Sequence, residues 1–163
     1  MAVRIKIFTT GGSLDKGYST RESDFVVQEP KIDEVLNQAN VGIEYEIESL
    51  FRKDSLEITE EDRNLLLERV RDEECRHILI THGTDTMALT AQKLSSLSGK
   101  TIVLTGAMQP ASFKNTDAHF NIGFALASLL QLPEGVYLAM NGAVFDPWTV
   151  RKNMELDRFE GGD

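Results

Sequence analysis

Short apolar runs alternating with helical stripes constrain this chain more than any other feature. Residues 3–9 (VRIKIFT) put Val3, Ile5 and Ile7 on one face of a strand, and Val41, Ile43, Tyr45 and Ile47 alternate in the same way. His77–Thr81 (HILIT), Thr101–Thr105 (TIVLT) and Val136–Met140 (VYLAM) are continuous apolar runs, the pattern of strands covered on both faces. Between them lie helical stripes. Ile32, Val35, Leu36 and Ala39 form one, and Ala118, Ile122, Ala125 and Leu129 another. A helix from about Thr86 shows Met87, Ala91 and Leu94 on one side. Thr59 followed by Glu60, Glu61 and Asp62 is a capped helix start, continuing through Leu66 or Leu67 and Val70. The order βαβαβαβαβ, with Ala143–Phe145 as an added hairpin strand, predicts an α/β fold. It is a single three-layer domain over residues 1–163, with a mostly parallel, doubly wound sheet and right-handed crossovers.

Charge and cysteine content narrow the function. Seventeen Lys and Arg against 26 Asp and Glu give a net charge of −9, which argues against nucleic acid and anionic membranes as partners. Cys75 is the only cysteine, and His77, His82 and His119 share no metal-ligand spacing. Arg4 and Lys6 interrupt the apolar N-terminus, unlike the uncharged core of a signal peptide. No run reaches the ~18 apolar residues of a membrane span. The expected location is cytoplasmic.

Ligands of doubly wound sheets bind at the carboxyl ends of the strands, so the residues that follow each strand matter most. They are Thr9-Thr10-Gly11-Gly12-Ser13, then Arg52-Lys53-Asp54-Ser55, then Thr81-His82-Gly83-Thr84-Asp85-Thr86. Gly106-Ala107-Met108-Gln109-Pro110 and Arg151-Lys152-Asn153 complete the set. Each also has a plainer reading. TTGGS is a tight turn or a phosphate loop, although it lacks the G-x-G-x-x-G and G-x-x-x-x-G-K-[ST] spacings. Thr84, Asp85 and Thr86 suit a helix cap, as does Asp117. His82 reads as a packed, hydrogen-bonded imidazole and Lys152 as a solvated charge.

Read together, these groups suit a hydrolase. A hydroxyl nucleophile needs a base within hydrogen-bond reach, and no histidine is paired with one here in the Ser-His-Asp manner. A lysine serves when its surroundings leave it neutral part of the time, which Lys152 beside Thr84 and Asp85 would supply. Peptide N–H groups of the glycine turns suit an oxyanion.

Four segments carry a resemblance. TTGGSLDK at 9–16, THGTDTM at 81–87, LTGAMQP at 104–110 and MNGAVFDPWTVRKN at 140–153 resemble the bacterial L-asparaginase/glutaminase family, in the family's order. The likeness spans about residues 3–153. It implies hydrolysis of L-asparagine, or of L-glutamine, to the acid and ammonia through an acyl-enzyme, with no metal or organic cofactor. Carried over by position, it implies Thr10 as nucleophile, assisted by Tyr18 of the following loop. Ser55 would hold the substrate α-carboxylate and Asp85 its α-amino group. Thr84 pairs with Lys152, the Ala107 carbonyl meets the leaving amide, and Gly11 lines the substrate.

The chain also departs from the family pattern. The usual members are about twice as long, and the second, C-terminal domain, which supplies an acid near the loop tyrosine, is expected to be absent. In SLDKGYS followed by ESDF the chain is similar to short-chain L-asparaginases, with Asp15 or Glu22 as a candidate partner for Tyr18. Leu56 stands where a polar substrate-binding glutamine is common, and Ser13 replaces the last threonine of T-G-G-T. Self-association into a homo-oligomer is expected. The alternative to catalysis is a non-catalytic amino-acid-binding or regulatory module that holds its ligand with Ser55 and Asp85.

Overall fold

A computed structural model describes residues 2–162. The central sheet has six strands: β1 (Arg4–Gly11), β4 (Glu44–Lys53), β5 (His77–Thr81), β6 (Thr101–Thr105), β7 (Gly135–Met140) and β8 (Ala143–Phe145). Their order is β4-β1-β5-β6-β7-β8, parallel except for β8, which turns back on β7. That hairpin turns on Asn141-Gly142, both at positive φ (54° and 75°), as a tight two-residue connection requires. Two small antiparallel hairpins lie outside the sheet. One pairs β2 (Lys16–Ser19) with β3 (Asp24–Val27), and the other pairs β9 (Val150–Asn153) with β10 (Arg158–Gly161).

Four helices cover the sheet: α1 (Ile32–Gln38), α2 (Glu60–Asp72), α3 (Met87–Leu94) and α4 (Ala118–Gln131). On one face, α1 and α4 pack Ile32, Val35, Leu36, Ile122 and Leu129 against Ile5, Ile7, Leu79 and Val103. On the other, Leu66, Val70, Met87 and Leu94 of α2 and α3 meet Phe8, Ile78, Ile80, Ile102 and Leu104. Leu66, not Leu67, is the fully buried leucine of α2. Each such side chain contributes about 1.5–3 kcal/mol by leaving water. The capping box expected at Thr59 is present: the Asp62 amide donates to the Thr59 hydroxyl, and the Thr59 amide to the Asp62 carboxylate.

Three features differ from the sequence-based expectation. The second sheet strand begins at Glu44, not Val41; Asn40, at φ 51°, turns the chain out of α1 first. Val41 and Ile43 still pack on the core. Both small hairpins were unforeseen. The third difference is handedness. The steps from β5 to β6 and from β6 to β7 run the same way across the sheet, yet α3 and α4 lie on opposite faces. The β6-α4-β7 crossover therefore has the opposite hand to the other three, against the strong preference for right-handed units. The loop after β6 carries the chain to the α1 face. It is held there by the Asp117 carboxylate, which accepts from the Met108 and Gln109 amides, and by Asn121, which donates to the Gly106 carbonyl.

Candidate active site

The chain winds left from β1 to β4 and right from β4 to β5, so the switch in direction falls at the carboxyl end of β1, where a ligand crevice is expected. Three loops meet there at glycines. A Cβ on Gly12 would lie 2.5 Å from the Gly83 nitrogen, and one on Gly83 would lie 2.6 Å from the Ser55 Cβ. Gly12 also has φ 85° and ψ −178°, a region that essentially only glycine occupies. The turns after β1, β5 and β4 are thereby pressed together without intervening side chains. A bulge between β1 and β4, where Thr9 faces Ser49 but Gly11 faces Lys53, carries Asp54 and Ser55 towards this junction. The Gly12 amide donates to the Lys53 carbonyl at 2.9 Å.

Lys152 on β9 reaches across to the same place. Its Nζ donates to Thr84 Oγ1 at 2.7 Å and to Asp85 Oδ1 at 2.8 Å, with the lysine side chain only 17% exposed. Asp85 is further tied to Ser55, whose hydroxyl accepts from the Asp85 amide at 3.1 Å. That leaves the Ser55 proton free to donate to a ligand. Thr86 donates its hydroxyl to the Ser55 carbonyl instead of capping α3. The plain capping reading of Thr84, Asp85 and Thr86 is thus set aside, because none of the three makes a side-chain cap on that helix.

The hydroxyls after β1 differ sharply in environment. Thr10 is fully buried and donates to the Thr81 carbonyl at 2.9 Å. Thr10 stands at the end of β1, directly before the glycine turn. Gly11 is buried too, its backbone packed against Lys53, where it shapes the turn. Beyond the glycine turn, Ser13 is half-buried, and its hydroxyl makes no hydrogen bond among the described residues. It opens a short 3-10 turn over residues 13–15.

Tyr18 on β2 is 56% exposed, and its ring sits edge-on to Phe25 at 5.5 Å. Among the described residues its hydroxyl has no hydrogen-bond partner, and neither Asp15 nor Glu22 is brought to it. Ala107 is buried in the loop after β6. Two ion pairs that the sequence reading did not anticipate fasten the β2–β3 hairpin beside Ser55. Lys16 meets Asp54 at 2.9 Å, and Arg52 grips Glu29 at 2.9 and 3.0 Å. The Lys16 hydrogen bond holds the Asp54 carboxyl below its ordinary pKa. A cleft of about 300 Å³ bounded by Lys16, Phe25, Arg52 and Asp54 lies between hairpin and loop. A larger concavity of about 810 Å³ lies beside Arg4, Glu73 and Cys75, where β1 and β5 begin, and gathers none of these groups.

His82 is the packed imidazole expected. Its Nδ1 lies 2.7 Å from the Gly83 carbonyl, which can only accept, so Nδ1 carries the proton. Arg63 Nε donates to Thr90 Oγ1 at 3.0 Å, so the Thr90 hydroxyl turns its proton to His82 Nε2 at 2.7 Å. Burial holds the His82 pKa down, from 6.5 to about 4; the Gly83 contact opposes this and the Arg63 charge adds to it. The unfolded chain therefore takes up this proton first, and the His82 contribution to stability is lost as pH drops from 6.5 towards 4. The expected loss is roughly 3 kcal/mol. Burial of Asp15, which raises its pKa to about 7, shifts stability the opposite way over the same range. Urea unfolding at pH 7 and pH 4.5 should therefore show the His82 loss as a difference between the parent and His82→Gln, the variant gaining more on acidification.

The fold and the site define a doubly wound α/β domain with a hydroxyl, lysine and aspartate constellation at its strand ends. Residues 4–161 match the family model described as Asparaginase, N-terminal, and the chain belongs to that family. L-asparaginase 2 of Escherichia coli is 30% identical over 166 residues, covering 94% of this chain and 47% of that protein. The thermostable L-asparaginase from Thermococcus kodakarensis superimposes with a TM-score of 0.84 at 27% identity, covering 98% of this chain and 51% of that one. The glutaminase-asparaginase of Acinetobacter glutaminasificans is 29% identical over 133 residues, 78% of this chain and 39% of that one. The chain spans about half the length of the two L-asparaginases.

Proposed function

We propose that this chain hydrolyses the side-chain amide of L-asparagine, releasing ammonia and L-aspartate through an acyl-enzyme. The observation that carries this reading is the Lys152 ammonium, 2.7 Å from the Thr84 hydroxyl and 2.8 Å from the Asp85 carboxylate. Family membership supports it. Thr10, at the end of β1 before the glycine turn, attacks the amide carbon, and the half-buried Ser13 beyond that turn lines the pocket. Thr84 and Lys152 take the nucleophile's proton and return it to the departing ammonia. Asp85 receives the substrate α-amino group and Ser55 its α-carboxylate. Ala107 and Gly11 shape the pocket around the amide, and Tyr18 covers it from the hairpin. Water then attacks the ester and frees the product. The choice between asparagine and glutamine rests on pocket length, and one methylene changes selectivity by only about 1–3 kcal/mol.

Ammonia release from purified protein supplied with L-asparagine or L-glutamine tests the proposal. Turnover of asparagine supports it. Stabilisation by L-aspartate or L-asparagine without ammonia release would favour the binding module instead. Self-association is part of the same reading. Leu56 (74% exposed), Trp148 (67%) and Met154 (67%) stand on the loops around Ser55 and Lys152, a surface that a second copy would cover. Light scattering should read an oligomer, and an active monomer would remove that element.

A further inference from the structure

Asp15 ends the 3-10 turn that Ser13 opens, and it is buried to 1% exposure in a position no step of the proposed reaction uses. Three hydrogen bonds converge on it. Its amide donates to the Gly12 carbonyl at 3.2 Å, and its carbonyl accepts from the Gln28 amide at 2.9 Å. Its carboxyl Oδ1 accepts from the amide of Lys31, the residue that leads into α1, at 3.0 Å. One residue thus joins the glycine turn, the exit of the β2–β3 hairpin and the start of a core helix. The next contacts reinforce the junction. The Leu14 carbonyl accepts from the Ala111 amide, and the Gln28 side chain lies over Gly17 and donates to the Tyr18 carbonyl.

The second carboxyl oxygen, Oδ2, is buried and meets no donor among the described residues. An ionised carboxylate in that position has half its charge uncompensated, which a low-dielectric interior penalises heavily. The charged groups that face it are Lys31, leading into α1, and Arg52 on β4. Both are cations, but the Arg52 guanidinium is already gripped by Glu29, and Lys16 of the hairpin by Asp54.

We propose that Asp15 is a positioning residue, a pH-sensitive clamp that fixes the Ser13 turn and the Tyr18 hairpin against α1. The clamp is firm while the carboxyl is neutral and loosens when it ionises. Burial raises the pKa of this group from 3.8 to about 7, against the smaller opposing effects of the Lys31 amide and the two cations. A carboxyl raised in this way stabilises the folded arrangement fully below pH 3.8. That contribution is lost as pH rises through about 7.

The proposal rests on reading residues 10–18 as the reactive segment, so the test has two readouts, only one of which needs turnover. Amide hydrogen exchange over residues 13–31, corrected for its intrinsic pH dependence, is followed at pH 6 and pH 8 in the parent, Asp15→Asn and Asp15→Ala. Asparagine reproduces the neutral acid, since its Oδ1 still accepts from Lys31. The parent should lose about ten-fold in protection between the two pH values, the change one pKa unit of ionisation represents. Asp15→Asn should stay protected at both, and Asp15→Ala should be open at both. In ammonia release, Asp15→Ala should lower kcat by about ten-fold or more with KM little changed, as expected of lost orientation. The alkaline fall of kcat near pH 7 in the parent should be missing in Asp15→Asn. Identical exchange in Asp15→Ala and parent, or the same pH dependence in Asp15→Asn and parent, would overturn the clamp. A parent that releases no ammonia would remove the hydrolase reading and leave the exchange data to decide the clamp by itself.

Discussion

Thr10→Ala should reduce ammonia release from L-asparagine by at least about 10³-fold, while Ser13→Ala should retain activity within about ten-fold. The contrast follows from where the two hydroxyls lie. Thr10 is the last hydroxyl of β1, directly before the Gly11-Gly12 turn at the carboxyl end of the sheet, and it donates to the Thr81 carbonyl 2.9 Å away. Alanine there removes the proposed attacking atom and one internal hydrogen bond, a stability cost of about 1 kcal/mol. Ser13 follows the turn, is half-buried and has no partner for its hydroxyl among the described residues, so alanine there leaves the packing intact. Steady-state kinetics with matched urea melts separates the two outcomes: one variant is inactive and slightly weakened, the other active and unchanged in stability. The reverse pattern would move the nucleophile to Ser13.

Lys152→Met should lower kcat by roughly 10²–10⁴-fold, the range that proton transfer by a positioned side chain supplies. Among the described residues, Lys152 is the only side chain that holds both Thr84 and Asp85. Methionine keeps the unbranched bulk of the side chain, and Asp85, 35% exposed, can meet solvent once its partner is gone, so folding should survive. Thr84→Val should cost a similar factor. The double variant should be little worse than either, because groups acting as one unit do not contribute additively. Asp85→Asn should instead act mainly on KM, through the α-amino group. Full additivity of Lys152→Met and Thr84→Val would show that the 2.7 Å contact has no part in the chemistry.

Much of the fold was legible because the sheet is covered on both faces. Runs such as HILIT and TIVLT are short and rich in β-branched side chains, which favours strand over buried helix, and the strand ends could be located from them. The convergence of Thr84, Asp85, Lys152 and Ser55 followed from that location, and all four do meet. The small hairpins were hidden because KGYS, VRKN and RFEG carry almost no apolar alternation. They are held by ion pairs and by contacts with other loops. The reversed crossover was invisible because hand depends on which face the loop after β6 selects, and Asp117 and Asn121 set that through tertiary hydrogen bonds. The different settings of Thr10 and Ser13 have a similar origin. A motif places both hydroxyls within four residues, whereas two positive-φ glycines between them turn the chain from the interior to the crevice. Asp117 suits a helix cap by position, but its carboxylate accepts from the Met108 and Gln109 amides earlier in its own loop.

The most direct test of the account is to quench the protein with acid during turnover of L-asparagine and locate the acyl group by peptide mass spectrometry. The predicted result is an aspartyl ester on Thr10, absent in Thr10→Ala and accumulating when deacylation is slowed. An adduct on Ser13 or Thr84, or turnover with no adduct at any quench time, would contradict it.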